Sequence, residues 1–169
     1  LGHLMALGHR RVVFLARRIT RERSNAFLAQ KNAVERAARV LDVEVLRRTV
    51  ADSVVAGASL LTDRRLPRGC TAVVSNNPEA LKGLLAAAWS HGVGVPDDFS
   101  VVSMGQAVPY SPDGRLATEV GVGRVRIGRR AGELLLQRLA EPQAAVEHLM
   151  VRASLADRGS AAAAGELSV

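Results

Sequence analysis

Short unbroken apolar runs alternate with longer segments of helical period over most of this chain, and that alternation restricts it to the α/β class. The run "RVVFLA" at residues 11–16 carries no polar residue in its interior, which suits a parallel strand covered on both faces. A short helix, "HLMALGH", precedes it and closes at Gly8. After a charged loop, "NAFLAQKNAVERAARVL" places Ala26, Ala29, Ala33, Val34, Ala37 and Val40 at helical spacing, predicting a helix with that face inward. "VEVLRRTV" alternates like a second strand, and residues 56–61 read as a helix ending before Pro67. "CTAVVS" is the third strand and "PEALKGLLAAAWSHG" a helix stopped by Gly92. "VPDDF" is a turn and "SVVSMG" the fourth strand. Strands joined through helices by short connections imply right-handed crossovers and a doubly wound parallel sheet.

The pattern changes after Gly105. Residues 106–123 hold two prolines and several glycines and read as a crossover linker. "VRIGRRAGELLLQRLAEP" is an amphipathic helix, "VEHLMVRASL" a last short strand, and the small-residue tail "ADRGSAAAAGELSV" is expected to fray.

Composition narrows the function classes. Hydrophobic residues make up 48% of the 169, enough for a real core. No apolar run approaches the roughly 20 residues that span a bilayer. The opening residues lack a secretory pattern, and the single Cys70 excludes an internal disulfide, so a cytoplasmic setting is expected and no membrane partner. Net charge is +7, almost all from arginine, but the arginines are scattered in pairs without an aromatic-interleaved basic stripe. Solvated faces account for them better than a nucleic-acid surface within this stretch.

Catalytic constellations are missing from the pattern. His3, His9, His91 and His148 lack metal-ligand spacing and are expected at the surface or as caps. The chain has no nucleophile elbow, phosphate-binding loop or paired cysteine motif, so no cofactor and no enzyme activity are expected. Asp97 and Asp98 follow Pro96 in a turn, where capping explains them. The exception is "SNNPEA". In an open α/β sheet ligands bind beyond the carboxyl ends of the strands. Asn77, just before Pro78, is the natural helix N-cap. Asn76 has no such duty, and its amide, with donors and an acceptor, suits the hydroxyls or carbonyls of a small polar ligand.

These residues resemble the lactose-repressor (LacI/GalR) family of transcriptional regulators, in the effector-binding core. "HLMALGHRRVVFL", "AVVSNNPEALKGLLAAAWSHGVGVPDDFSVVSMG", "IGRRAGELLLQRL" and "LMVRAS" follow the family's motifs in the family's order, over nearly residues 3–154. The resemblance implies a type I periplasmic-binding-protein-like fold whose two subdomains enclose an effector. It also implies a homodimer, and operator DNA contacted through a headpiece that is not in this chain. Residues 1–115 correspond to the C-terminal subdomain. Residues 116–153 correspond to the crossover, one helix of the N-terminal subdomain and the returning strand, so this chain corresponds to part of a longer regulator. Residues 154–169 are the expected flexible tail. Without the rest of its subdomain, the helix near 124–139 is expected to leave an apolar face uncovered.

Residue by residue, the family's effector-holding asparagine falls on Asn76 and its neighbouring aspartate on Asn77. Other polar positions of the family fall on Ala26, Gly105 and Val122, so several anchors of a sugar site are replaced. The expected effector contacts are Asn76, Asn77, Arg23, Gln106 and Phe27. Phe27 and Tyr110 are the candidate aromatic platforms, while Phe14, Trp89 and Phe99 belong to the core. A neutral sugar is expected to bind weakly, and the arginine-rich loop 17–23 favours an anionic ligand. The expected function is effector sensing and dimerisation in a LacI-type regulator, acting as a repressor. A stand-alone solute-binding protein of the same fold is the alternative, and a small α/β enzyme a more remote one.

Overall fold

A computed structural model describes residues 1–18, 24–63 and 67–165, with side chains from residue 27 onward in the second of these segments. The elements are α1 (Gly2–Ala6), β1 (Arg11–Arg17), α2 (Ser24–Leu41), β2 (Glu44–Val50), α3 (Val54–Thr62), β3 (Ala72–Ser75), α4 (Pro78–Ser90), β4 (Ser100–Met104), β5 (Thr118–Gly121), α5 (Arg124–Ala140) and β6 (Ser154–Ala156). They build one sheet in the order β2-β1-β3-β4-β5-β6. The first five strands run parallel, and β6 pairs antiparallel with β5. The alternation in β1 divides the core. Val12, Phe14 and Ala16 pack with Leu4 of α1 and Val34 of α2 on one face. Val13 and Leu15 pack with Leu60 of α3 and Leu81, Leu84 and Leu85 of α4 on the other. The sheet is therefore wound on both faces, as its uninterrupted apolar strands require.

On the second face, α3 and α4 cross with almost no space between their backbones. A Cβ added to Gly57 would stand 1.8 Å from the Ala80 carbonyl oxygen, and one added to Gly83 would stand 1.8 Å from the Val54 carbonyl oxygen. Each glycine thus admits the other helix's main chain, and only a residue without a side chain fits either position. Ser53 caps α3 by accepting the Ala56 N–H at 3.2 Å.

Several expectations change. First, α2 buries a stripe rotated from the one the alanines suggest. Val34 is 6% exposed but Val40 is 82% exposed, and Ala29 and Ala33 face solvent. Phe27, Gln30, Val34, Ala38 and Leu41 lie inward instead, because bulkier side chains gain more from burial than alanines do. Second, the supposed linker contains β5. Four residues are too few for a period to register, and the pairing of Val102–Met104 with Thr118–Val120 creates the strand. Third, the closing strand is only Ser154–Ala156. The stretch before it runs irregular and mostly exposed, since β5 offers β6 no further residues to pair with.

Fourth, the small-residue tail does not fray as far as residue 165. Ser160 is fully buried, its hydroxyl donating to the Val101 carbonyl at 2.6 Å and accepting the Thr118 N–H at 2.7 Å. The Ala162 N–H donates to Ser100 Oγ at 3.0 Å, and the Ala164 N–H donates to the Leu7 carbonyl at 2.8 Å. Small side chains let this segment lie directly on strand ends. His9, expected at the surface, is buried beneath it, with Nδ1 2.7 Å from Thr71 Oγ1 and Nε2 3.0 Å from the Ala162 carbonyl. His91 does cap α4, with Nδ1 2.8 Å from the Ala87 carbonyl. Tyr110, a candidate platform, is a core residue whose hydroxyl reaches the Gly159 carbonyl. Phe14 and Phe99 are in the core as expected, with Trp89 packed against it.

α5 buries none of its residues. Val125, Leu135, Leu136 and Leu139 are exposed along it, as are Val146, Leu149 and Met150 in the segment that follows.

Two outcomes follow from this packing. Gly83→Ala and Gly57→Ala should each destabilise the fold by about 1–3 kcal/mol, read as a lower urea midpoint, because backbone cannot yield as a flexible side chain can. Burial, the largest cause, lowers the His9 pKa; the Ala162 carbonyl partly offsets it and His3 adds to it. The unfolded chain therefore takes up this proton first, near its ordinary value of about 6.5. Stability is complete above that pH and declines as pH falls through it towards the folded pKa. Thermal melts should drop on going from neutral to mildly acidic buffer, and His9→Gln should flatten that drop; parallel profiles would contradict it.

Candidate functional site

The strand order β2-β1-β3 makes the junction of β1 and β3 the point where the crossovers change direction. α2 leaves β1 towards one face and α4 leaves β3 towards the other, as their core contacts show. This switch point, at the carboxyl ends of the two strands, is where open α/β sheets receive ligands, and "SNN" lies there with all three residues buried.

Asn77 performs the capping role read from the sequence. Its Oδ1 accepts the Ala80 N–H at 3.2 Å, with Pro78 in the first turn of α4. Its amide nitrogen also donates to the Ala51 carbonyl at 3.1 Å, and its own N–H donates to Ser75 Oγ at 3.0 Å. Asn76 has duties that the sequence did not reveal. It is 4% exposed; Oδ1 accepts the Arg17 N–H at 3.0 Å, and Nδ2 donates to Gln30 Oε1 at 3.2 Å. Its backbone N–H donates to the Leu15 carbonyl at 3.3 Å. The pair therefore ties the ends of β1, β2 and β3 to one another and to α2.

Arg17 dominates the local electrostatics. Its Nη2 lies 2.8 Å from Asp52 Oδ1 in the turn after β2, and its guanidinium lies over the Phe27 ring, 5.1 Å from the centroid. Its Nε is buried without a hydrogen-bond partner among the described residues. Phe27 thus belongs to this site, but as a support for arginine.

Gln106 follows β4, next to β3, so it lies along the same edge of the sheet. It lines an open cavity of about 450 Å³ together with Gly105, Val122, Arg124, Glu119 and Arg158. Arg158 pairs with Glu119 at 3.1 Å in its wall. Gly105 has φ +78°, in the region that favours glycine, which is why a side chain at that position would be strained. Asn76, Asn77 and Phe27 form one cluster with Arg17, while Gln106 belongs to the neighbouring cavity. Arg23 lies outside the described residues. Asp52 and Gln30 were missed by sequence reasoning. The only signal for Asp52 was its place before the Ser53 cap, at the end of a strand. Among the described residues, no group of three or more His, Cys, Asp or Glu could hold a metal, and no helix is long and apolar enough to cross a membrane.

Losing the cap should be measurable. Asn77→Ala is expected to cost about 1–2 kcal/mol in chemical denaturation, and Asn77→Ser, which retains a capping oxygen, to recover part of it.

The model of the periplasmic binding protein-like domain matches residues 1–161. No curated protein matches the chain. Among solved structures, a LacI family transcriptional regulator from Bifidobacterium animalis subsp. lactis superposes with a TM-score of 0.78 at 22% identity, covering 97% of this chain and 59% of that one. A LacI family regulator from Enterococcus faecium, solved with bound ribose, gives 0.74 at 21% identity, covering 95% and 60%. The dimeric Lac repressor with an 11-residue C-terminal deletion gives 0.77 at 22% identity, covering 97% and 60%. The chain thus spans about three-fifths of the length of these regulators. With its sheet order and this match over nearly its whole length, the chain belongs to the periplasmic-binding-protein-like domain family and has the fold found in the cores of LacI-family transcriptional regulators.

Proposed function

We propose that this chain is the effector-sensing and dimerisation core of a LacI-type DNA-binding regulator, acting as a repressor in the cytoplasm and not as an enzyme. The observation that carries this is the polar cluster at the β1/β3 switch point, in a fold shared with regulators of which two were solved with bound ribose. The effector is a small sugar-like or anionic molecule, received at the sheet edge that holds Asn76, Asn77, Phe27 and Gln106, with Arg23 a further contact. DNA is contacted by a headpiece outside this chain. Residues 1–115 act as the C-terminal subdomain and 116–153 as the connection to the other subdomain. The uncovered apolar face of α5 supports this division, since Leu135, Leu136 and Leu139 offer a surface for the remainder of the regulator.

The mechanism is a shift between two arrangements. Effector binds one of them better and draws the population towards it, which changes the placement of the DNA-binding parts across the homodimer. A coupling of about 1–3 kcal/mol between effector and DNA would suffice for a useful switch. The complete gene product should shift a specific duplex in a gel assay, and a metabolite should reverse the shift. A secretory leader encoded upstream of Leu1, with solute binding but no DNA binding, would instead establish the stand-alone solute-binding alternative.

A further inference from the structure

We propose that Arg17 makes the β1/β3 switch point a receptor for an acidic group, phosphate or carboxylate, and that Asp52 is the internal anion which that group replaces. The proposal rests on the effector-sensing reading above and names the chemistry of its ligand.

Arg17 is held in place before any ligand arrives. Its N–H is fixed by Asn76 Oδ1 at 3.0 Å, and the next N–H, of Arg18, donates to the Val50 carbonyl at 2.9 Å. The Phe27 ring supports the guanidinium at 5.1 Å. A guanidinium is a planar fork matched to two oxygens of a carboxylate or phosphate. The closest approach of Asp52 is to Nη2, while Nε is buried and without a hydrogen-bond partner among the described residues. The two partners are unequally exposed: the Arg17 side chain is 15% exposed and that of Asp52 37% exposed. Asp52 sits in a surface turn just before the Ser53 cap, so its carboxylate can turn into water without leaving a buried group unpaired. Arg17 cannot leave so cheaply. An incoming anion that bonds both Nη2 and Nε gives Nε the hydrogen bond it lacks among the described residues, with Asp52 solvated in compensation.

The two chemistries and the two carboxylates can be separated by titration calorimetry of the full chain. Ribose 5-phosphate, gluconate, inorganic phosphate and ribose serve as probes against wild type, Asp52→Asn, Arg17→Gln, Arg17→Lys and the remote charge control Glu141→Gln. At least one acidic probe should bind more tightly than ribose, ribose 5-phosphate with inorganic phosphate marking a phosphate site and gluconate a carboxylate site. Asp52→Asn should tighten that probe by about three- to tenfold, as expected when a competing like charge is removed, and Glu141→Gln should not. Arg17→Gln should abolish its binding, and Arg17→Lys should restore only part, since it returns the charge without the fork. Ribose binding as well as the acidic probes, acidic probes silent on both wild type and Asp52→Asn, or an Asp52→Asn variant that does not tighten them would each overturn the proposal. The sensing reading would stand after any of these, because the effector-dependent DNA shift judges it separately.

Discussion

Two adjacent asparagine side chains hold the switch point of this protein together. Parallel strands end in unpaired backbone groups, and at the β1/β3 junction the chain leaves in opposite directions, so no regular ladder can satisfy them. Asn76 meets the N–H of Arg17 and the amide of Gln30; Asn77 meets the first turn of α4 and the carbonyl of Ala51. An amide can do both because it carries donor and acceptor on one planar group. Three strand ends and two helices are fixed by four side-chain hydrogen bonds. Any ligand-sensing role inherits that frame.

The two asparagines therefore divide the work. Asn77 is the cap. Asn76 positions, by holding Arg17 and Gln30, rather than standing free at the switch point. Beside it the Arg17 guanidinium lies over the Phe27 ring and pairs with Asp52.

Much of the fold was legible because its signals are local. "VVFL" in β1 announces a strand buried on both faces, and "NPEA" announces the start of α4; each depends on neighbours in sequence. The exposed apolar face of α5 was legible for the same reason, since helical period shows which residues share a face. What failed depended on distant partners. β5 exists because β4 lies beside it, and Ser160 is buried because Val101 and Thr118 receive it. Low complexity suggested a loose tail, yet small side chains are what allow close docking on strand ends.

By itself, the sequence determined the α/β alternation, the cap before Pro78 and the family resemblance, each read from short motifs and their order along the chain. Tertiary structure alone decided that α2 turns Phe27 and Gln30 inward to partial burial, that Asp52 comes within 2.8 Å of Arg17, and that Asn76 serves the end of another strand. Those outcomes join residues from tens of positions apart. They follow from which strands lie side by side, which is set by the packing of both sheet faces at once and not by any local period.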